Sequence, residues 1–130
     1  MASNPAKTTP QYGVIPHDTV RTLTGLQLMQ ALVEGRFPAP TIMQALDFRL
    51  VEVGLGLAIF EGVPDGRFFN PLGSIHGGYA ATLLDSCMGC AAHTTVSAGQ
   101  GFTTLEIKVN YVRAMSEKTG LVRAEGRVIN

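Results

Sequence analysis

The segment from His76 to Asp85 contains the residues whose types are best suited to chemistry. Gly77 and Gly78 open a stretch of small and apolar residues that is typical of a buried helix, and the free N–H groups of a first helical turn lie at the positive end of the helix dipole. Because glycine lets a ligand approach the backbone closely, these amides suit a phosphate or a carbonyl oxygen that gains negative charge. The alternative is that the two glycines only allow the helix to pack tightly against a sheet.

Asp85 is the second candidate, because it is the one acidic residue in this apolar stretch. Its neighbours one helical turn away are small or apolar, namely Ala81, Thr82, Met88 and Gly89. A carboxylate in such surroundings needs a partner or access to water through a cleft. It can then act as a nucleophile or as a general base towards water, and a structural aspartate that only caps or bridges is the alternative.

The spacing of these two candidates constrains how they could cooperate. Gly77 and Asp85 are eight residues apart, which is about 12 Å along a helix axis. Groups that act on one carbonyl must lie within about 3 to 3.5 Å of it, so one helix cannot supply both. Two antiparallel helices related by a two-fold axis could do so. If both residues act, the site is shared between subunits and a monomer should be inactive.

The pattern of apolar residues predicts the elements that position this segment. The first part of the chain would form a tail or ordered arm to residue 17, a helix from Thr22 or Thr24 through Glu34, and a helical turn at 41–46. A hairpin of strands at 47–52 and 55–61 would follow. The last part would form a buried helix from Gly77 to about His93 and half-buried strands at 103–113 and 119–129. One apolar helix with strands on both sides of it in sequence favours an α+β fold, with an antiparallel sheet around that helix.

The composition predicts one ordered domain that is partly covered by another subunit. The chain has 130 residues and is 45% hydrophobic and only 15% charged, which argues against disorder and leaves little charge for an exposed surface. Ten Lys and Arg balance ten Asp and Glu without a basic run, so neither nucleic acid nor a membrane is an expected partner. Two cysteines, no apolar leader and no run of about 18 apolar residues indicate a cytoplasmic protein.

The segment from Asn70 to Asp85, with residues 86–92 and 103–113, resembles the PaaI-type branch of the hotdog thioesterases. The resemblance covers roughly residues 46–130, and the spacing from His-Gly-Gly to Asp is its most specific part. Residues 1–45 would form an N-terminal tail and an accessory helix. The resemblance implies a hotdog fold, in which a sheet of five or six strands wraps around a long central helix, and a homodimer or a homotetramer built from two dimers. The branch adds two further strands after the one at 119–129, so we expect the domain at 46–130 to lack the last strands.

The resemblance also implies an activity, the hydrolysis of an aryl- or medium-chain acyl-CoA to the free acid and CoA. No metal and no cofactor is expected, since CoA is part of the substrate. By position, Gly77 corresponds to the residue whose N–H polarises the thioester carbonyl. Asp85 corresponds to the acid that attacks this carbonyl or activates water.

Further site residues are implied by the same resemblance. Asn70 corresponds to the residue that positions substrate or water, and Thr104 to the hydroxyl residue that assists the acid, with Thr103 as the alternative for that role. His76 corresponds to the motif histidine, which we interpret as ordering the loop and the entry to the helix. Together with Gly78 and Thr103, it belongs to the expected substrate-binding residues.

Two competing functions remain open at this point. A hotdog module without catalysis could bind an acyl-CoA or only assemble. A dehydratase or hydratase would need a histidine and a carboxylate poised for proton transfer, and His76 lies at the wrong end of the predicted helix from Asp85 unless a dimer brings the two together.

Other signals favour structure over chemistry. Cys87 and Cys90 have redox-motif spacing, but they lie in the middle of the predicted helix, where small buried thiols are the better interpretation. Lys108 and Arg113 could contact the phosphates of CoA, although a solvated strand face fits their alternation better. Tyr79 and Phe68 fit either an acyl pocket or the core.

Overall fold

The computed structural model describes residues 9–130. Its helices are α1 (His17–Val20), α2 (Gly25–Val33), α3 (Thr41–Ala45) and α4 (Gly77–His93), and its strands are β1 (Phe48–Gly54), β2 (Leu57–Gly62) and β3 (Val122–Arg127). The first eight residues of the predicted tail lie outside this range. In the rest of the predicted arm, Tyr12 forms a β-bridge with Ala39. The short helix α1 begins at the end of this arm and is not predicted by the sequence.

The three strands form one antiparallel sheet in the order β1-β2-β3. A bulge between Leu50 and Glu52 interrupts the pairing of β1 with β2, and Gly56 makes the turn between these strands with φ at 72°. The long helix α4 packs against β2 and β3. This arrangement confirms the α+β class and the predicted hairpin.

Local signals account for the position of α2. The hydroxyl of Thr24 accepts a hydrogen bond from the amide of Gln27, and the side chain of Gln27 accepts one from the amide of Thr24. This reciprocal cap starts the helix at Gly25, so Thr24 and not Thr22 is the cap. Gly35, with φ at 75°, follows the helix end as predicted. The helix then packs against β1 and α4.

The buried face of α4 consists of Tyr79, Leu83, Cys87 and Ala91, each one turn after the last. These residues join the main core with side chains from the sheet, including Phe48 and Phe60. The helix lies so near β3 that a Cβ atom added to Gly126 would overlap the backbone carbonyl of Cys87. A run of small residues in the helix and a glycine in the strand are therefore what allow this close contact.

The main correction concerns residues 103–113, which were predicted as a half-buried strand. They have no regular secondary structure and pair with none of the three strands. Leu105 and Val112 are 94% and 96% exposed, whereas the alternation required one side to be covered. A strand needs a hydrogen-bonded neighbour, and β3 pairs only with β2 among the described residues. The resemblance implies a sheet of five or six strands, and residues 9–130 form a sheet of three.

The contact between α4 and β3 gives a stability prediction. Gly126→Ala should lower the free energy of unfolding by about 1–3 kcal/mol, because the new methyl group meets backbone atoms that move only if the helix leaves the sheet. Urea unfolding followed by circular dichroism measures the change. The matched control is Gly101→Ala, whose methyl group would meet nothing within 4 Å. Equal losses in the two variants would contradict the assigned contact.

Candidate active site

The start of α4 presents one backbone amide without an acceptor. His76 caps the helix, since its Nδ1 accepts a hydrogen bond of 2.8 Å from the amide of Gly78. The amide of Gly77 has no acceptor among residues 9–130. The free donor at the positive end of the helix therefore belongs to Gly77, while the amide of Gly78 is engaged.

Asp85 lies on the exposed side of α4, two turns further along. The hydroxyl of Thr104 donates a hydrogen bond of 2.8 Å to its Oδ1, and its Oδ2 has no partner in the described part of the chain. Thr104, not Thr103, is thus the hydroxyl residue beside this carboxylate. The arrangement holds one carboxylate oxygen and leaves the other available to a ligand or water.

Asn70 organises the loop that leads into α4. Its side-chain amide nitrogen donates to the hydroxyl of Ser74 at 2.8 Å, and its Oδ1 accepts from the amides of Leu72 and Ser74 at 2.9 and 3.2 Å. Both ends of the amide group are therefore used within the loop. In this chain Asn70 shapes the approach to the helix, and its substrate-positioning role stays a prediction.

Tyr111 is a neighbour of the site that the sequence did not identify. Its hydroxyl donates a hydrogen bond of 2.8 Å to the carbonyl oxygen of Gly77. Its ring also packs on Gly77, since a Cβ atom there would lie 3.2 to 3.3 Å from the ring. Alternation placed Tyr111 and Thr104 on opposite faces of a strand, yet both reach α4. The one available signal was a tyrosine hydroxyl that needs a partner.

The structure does not bring the two main candidates of one chain together. Gly77 and Asp85 belong to the same uninterrupted helix of 17 residues, so the separation of about 12 Å along the axis holds. Both are contacted by the segment 104–111, which places them on the same side of α4. One chain therefore presents two candidate half-sites on one face.

Comparisons with known proteins identify a family for the chain. The family model of the thioesterase superfamily matches residues 72–130, which include the free amide of Gly77 and the Thr104–Asp85 pair. The chain belongs to the thioesterase superfamily. Comparison with curated proteins gives no match.

Three solved structures have the same fold. A phenylacetic acid degradation-related protein of Ralstonia eutropha is 23% identical with a TM-score of 0.69, over 78% of this chain and 77% of its own. A conserved protein of Pseudomonas aeruginosa is 30% identical with a TM-score of 0.63, over 68% and 70%. A variant of the phenylacetic acid degradation protein PaaI of Thermus thermophilus is 24% identical with a TM-score of 0.61, over 69% and 74%. These structures confirm the predicted hotdog fold, and the family match agrees with the predicted class of thioester hydrolase. Two of the three structures are phenylacetic acid degradation proteins, which agrees with the predicted PaaI-type affiliation.

An exposed apolar surface surrounds the half-sites of this thioesterase. It is formed by α4 and the segment after it, with large side chains that are 39% to 96% exposed: Met88, Phe102, Leu105, Ile107, Tyr111 and Val112. A concentration of exposed apolar side chains of this kind is typical of a protein interface. We call these six residues the apolar face.

The remaining chemical candidates have structural surroundings. Burial raises the pKa of the Cys90 thiol to about 11 and also raises that of Cys87, so neither is a reactive thiolate at neutral pH. Phe68 and Tyr79 are buried and stack with ring centroids 5.2 Å apart, which places both in the core. Within 9–130, no three His, Cys, Asp or Glu side chains form a metal-binding group, and no helix is long and apolar enough to cross a membrane.

His93 differs from expectation. From its place near the end of the helix, the sequence predicts that the helix dipole favours the positive form of His93, but burial lowers its pKa below the ordinary value of 6.5. Between the lowered pKa and 6.5 the unfolded chain binds more protons than the folded one, so the stability contribution of His93 falls as the pH drops.

We therefore expect the wild-type protein to lose stability between pH 7 and pH 5, and His93→Gln to lose less over the same interval. Urea unfolding at both pH values measures this difference, and the NMR titration of His93 measures its pKa directly. A pKa at or above 6.5, or an unchanged pH dependence in the variant, would show that burial does not control this group.

Proposed function

We propose that two copies of this chain form a dimer with two shared sites, each combining the Gly77 amide of one chain with Asp85 of the other. Each site would hydrolyse an aryl- or medium-chain acyl-CoA to the free acid and CoA. The observation that carries the proposal is the pairing of a free helix N-terminal amide and a held carboxylate on one face, about 12 Å apart along the helix. In an antiparallel pair of helices, each amide lies beside the carboxylate of the other chain.

The amide of Gly77 would stabilise the charge that develops on the thioester oxygen. A thioester carbonyl becomes an oxyanion when a nucleophile adds to its carbon, and a preorganised N–H is then worth about 10²–10³ in rate. The free amide is supported by the dipole of a helix of 17 residues. The cap formed by His76 fixes the neighbouring amide and leaves this one for the substrate.

Asp85 would start the reaction by one of two routes. As a nucleophile, its carboxylate adds to the carbonyl carbon, the carbon–sulfur bond breaks, CoA leaves as the thiolate, and water hydrolyses the resulting anhydride. As a general base, it takes a proton from a water molecule whose oxygen adds to the same carbon; the carbon–sulfur bond then breaks, and the leaving CoA thiolate takes up a proton. Both routes need one free carboxylate oxygen, which the hydrogen bond from Thr104 to Oδ1 leaves at Oδ2.

The apolar face supports the dimer. It lies along the segment that contacts both half-sites, since Tyr111 of this face contacts Gly77, and Thr104, next to Leu105 in the chain, contacts Asp85. A second copy that covers this face would remove its apolar side chains from water and close the site at the same time. A homodimer, or a homotetramer of two such dimers, is the proposed assembly.

Asp85→Asn should reduce hydrolysis by at least about 10³-fold across a panel of phenylacetyl-, benzoyl- and medium-chain acyl-CoA, because the amide can neither attack a carbonyl nor accept a proton from water. Release of CoA measures the rate. Asp18→Asn, which changes an exposed carboxylate in α1, should keep the wild-type rate. Equal rates for wild type and Asp85→Asn would reject the mechanism, and a wild type that binds but hydrolyses none of the panel would favour a non-catalytic module.

A second prediction tests whether the site is shared. Gly77→Pro removes the N–H at the first helical position, where proline is tolerated, and His76 has the extended ψ of 135° that proline requires before it. Gly77→Ala adds a similar Cβ but keeps the N–H, so it is the matched control. The proline variant should be at least about 10²-fold slower than the alanine variant.

Mixing Gly77→Pro with Asp85→Asn should then restore activity. In a mixed dimer, one site combines an intact Gly77 with an intact Asp85, and the other site has lost both. Random exchange makes about half of the dimers mixed, so about a quarter of the wild-type rate is expected. No recovery after verified subunit exchange would place both groups in separate or single-chain sites.

A further inference from the structure

We propose that Tyr111 is a positioning residue for the reaction, because it fixes the direction of the Gly77 amide through the Gly77 carbonyl. This inference rests on the proposed function, in which that amide binds the thioester oxygen. Tyr111 itself would not touch the reacting atoms. Its hydroxyl donates to the Gly77 carbonyl oxygen at 2.8 Å, and its ring lies against the glycine.

The two peptide groups on either side of the Gly77 α-carbon are held at their carbonyls. The first peptide group joins His76 to Gly77 and carries the free Gly77 amide. Its carbonyl oxygen, which belongs to His76, accepts a hydrogen bond of 3.0 Å from the amide of Tyr79. The group after it has its oxygen bonded to Tyr111 and its N–H bonded to the imidazole of His76. A carbonyl oxygen has two lone pairs, so the bond from Tyr111 adds to the helical bonding of that oxygen.

A restraint on the direction of the Gly77 amide matters because this residue is a glycine. Glycine has the most backbone freedom of any residue, and the first turn of a helix lacks the amide bonds of later turns. An oxyanion donor is effective only if it already points to within about 2.7–3.1 Å of the oxygen when charge develops. A glycine at this position therefore needs an external restraint, and Tyr111 is the side chain from a distant part of the sequence that supplies one.

Tyr111 can restrain the helix because its own segment is anchored on both sides. Thr104 is bonded to Asp85 at 2.8 Å, and the carbonyl of Met115 accepts a bond of 2.9 Å from the amide of Ile75, just before the helix. These two contacts fix the ends of the stretch that carries Tyr111. The same segment therefore holds the acid at one point and the oxyanion amide at another.

Tyr111→Phe separates positioning from packing, because it keeps the ring and removes only the donor. We expect kcat to fall about three- to tenfold, the size of one neutral hydrogen bond, with KM changed less than about twofold and a melting temperature lowered by no more than a few degrees. The ¹⁵N order parameter of the Gly77 amide should fall from about 0.85 towards 0.6. Tyr12→Phe, in the N-terminal arm, is the matched control and should change none of these quantities.

The two measurements separate the possible failures. An unchanged order parameter at Gly77 would overturn the inference, and so would a lower order parameter with an unchanged kcat. A large drop in melting temperature together with a lower rate would assign Tyr111 a purely structural role and overturn it as well. If the wild type hydrolyses no thioester, the proposed function fails, and the order parameter alone then decides whether Tyr111 holds the amide.

Discussion

The rise of a straight α-helix, about 1.5 Å per residue, is the constraint on which this molecule depends. Gly77 and Asp85 are fixed on one helix of 17 residues, and no movement of loops can shorten the distance between them. A single chain can therefore offer a donor or a carboxylate at a given point, but not both. If both groups act on one carbonyl, as proposed, assembly becomes part of the chemistry, since only a second helix can place the missing group beside each one.

The helix can serve this purpose because its two sides have different tasks. One side is apolar and packs so closely on β3 that Gly126 has no room for a side chain. That contact fixes the axis of α4 relative to the sheet. The other side carries Asp85 and is lined by the segment that contains Thr104 and Tyr111. The packing of the first side thereby sets the geometry of the second.

The sequence predicts the parts that local interactions determine. The helix at α2 follows from Thr24 and Gln27, which cap each other three residues apart, and α4 follows from its unbroken run of small and apolar residues.

The prediction of a strand at 103–113 is wrong, because alternation shows which side chains are apolar and not whether a neighbouring strand is present. Tyr111 was missed for a related reason, since its contact with Gly77 spans 34 residues and breaks the alternation. Asn70 was placed in the correct loop, but its bonds to Ser74 depend on a loop shape that composition does not fix.

Assembly would change more than the number of groups at the site. In the isolated chain Asp85 and its surroundings are open to water, where an N–H contributes little to stabilising an oxyanion because water screens and competes with it. Covering the apolar face would exclude that water, and each fixed dipole would then act in a lower dielectric. The same surface burial that drives two chains together would therefore strengthen the Gly77 amide as a donor. In this view the exposed side chains of Leu105, which follows Thr104 in the chain, and of Val112, which follows Tyr111, are part of the catalytic design. They couple the formation of the site to its desolvation.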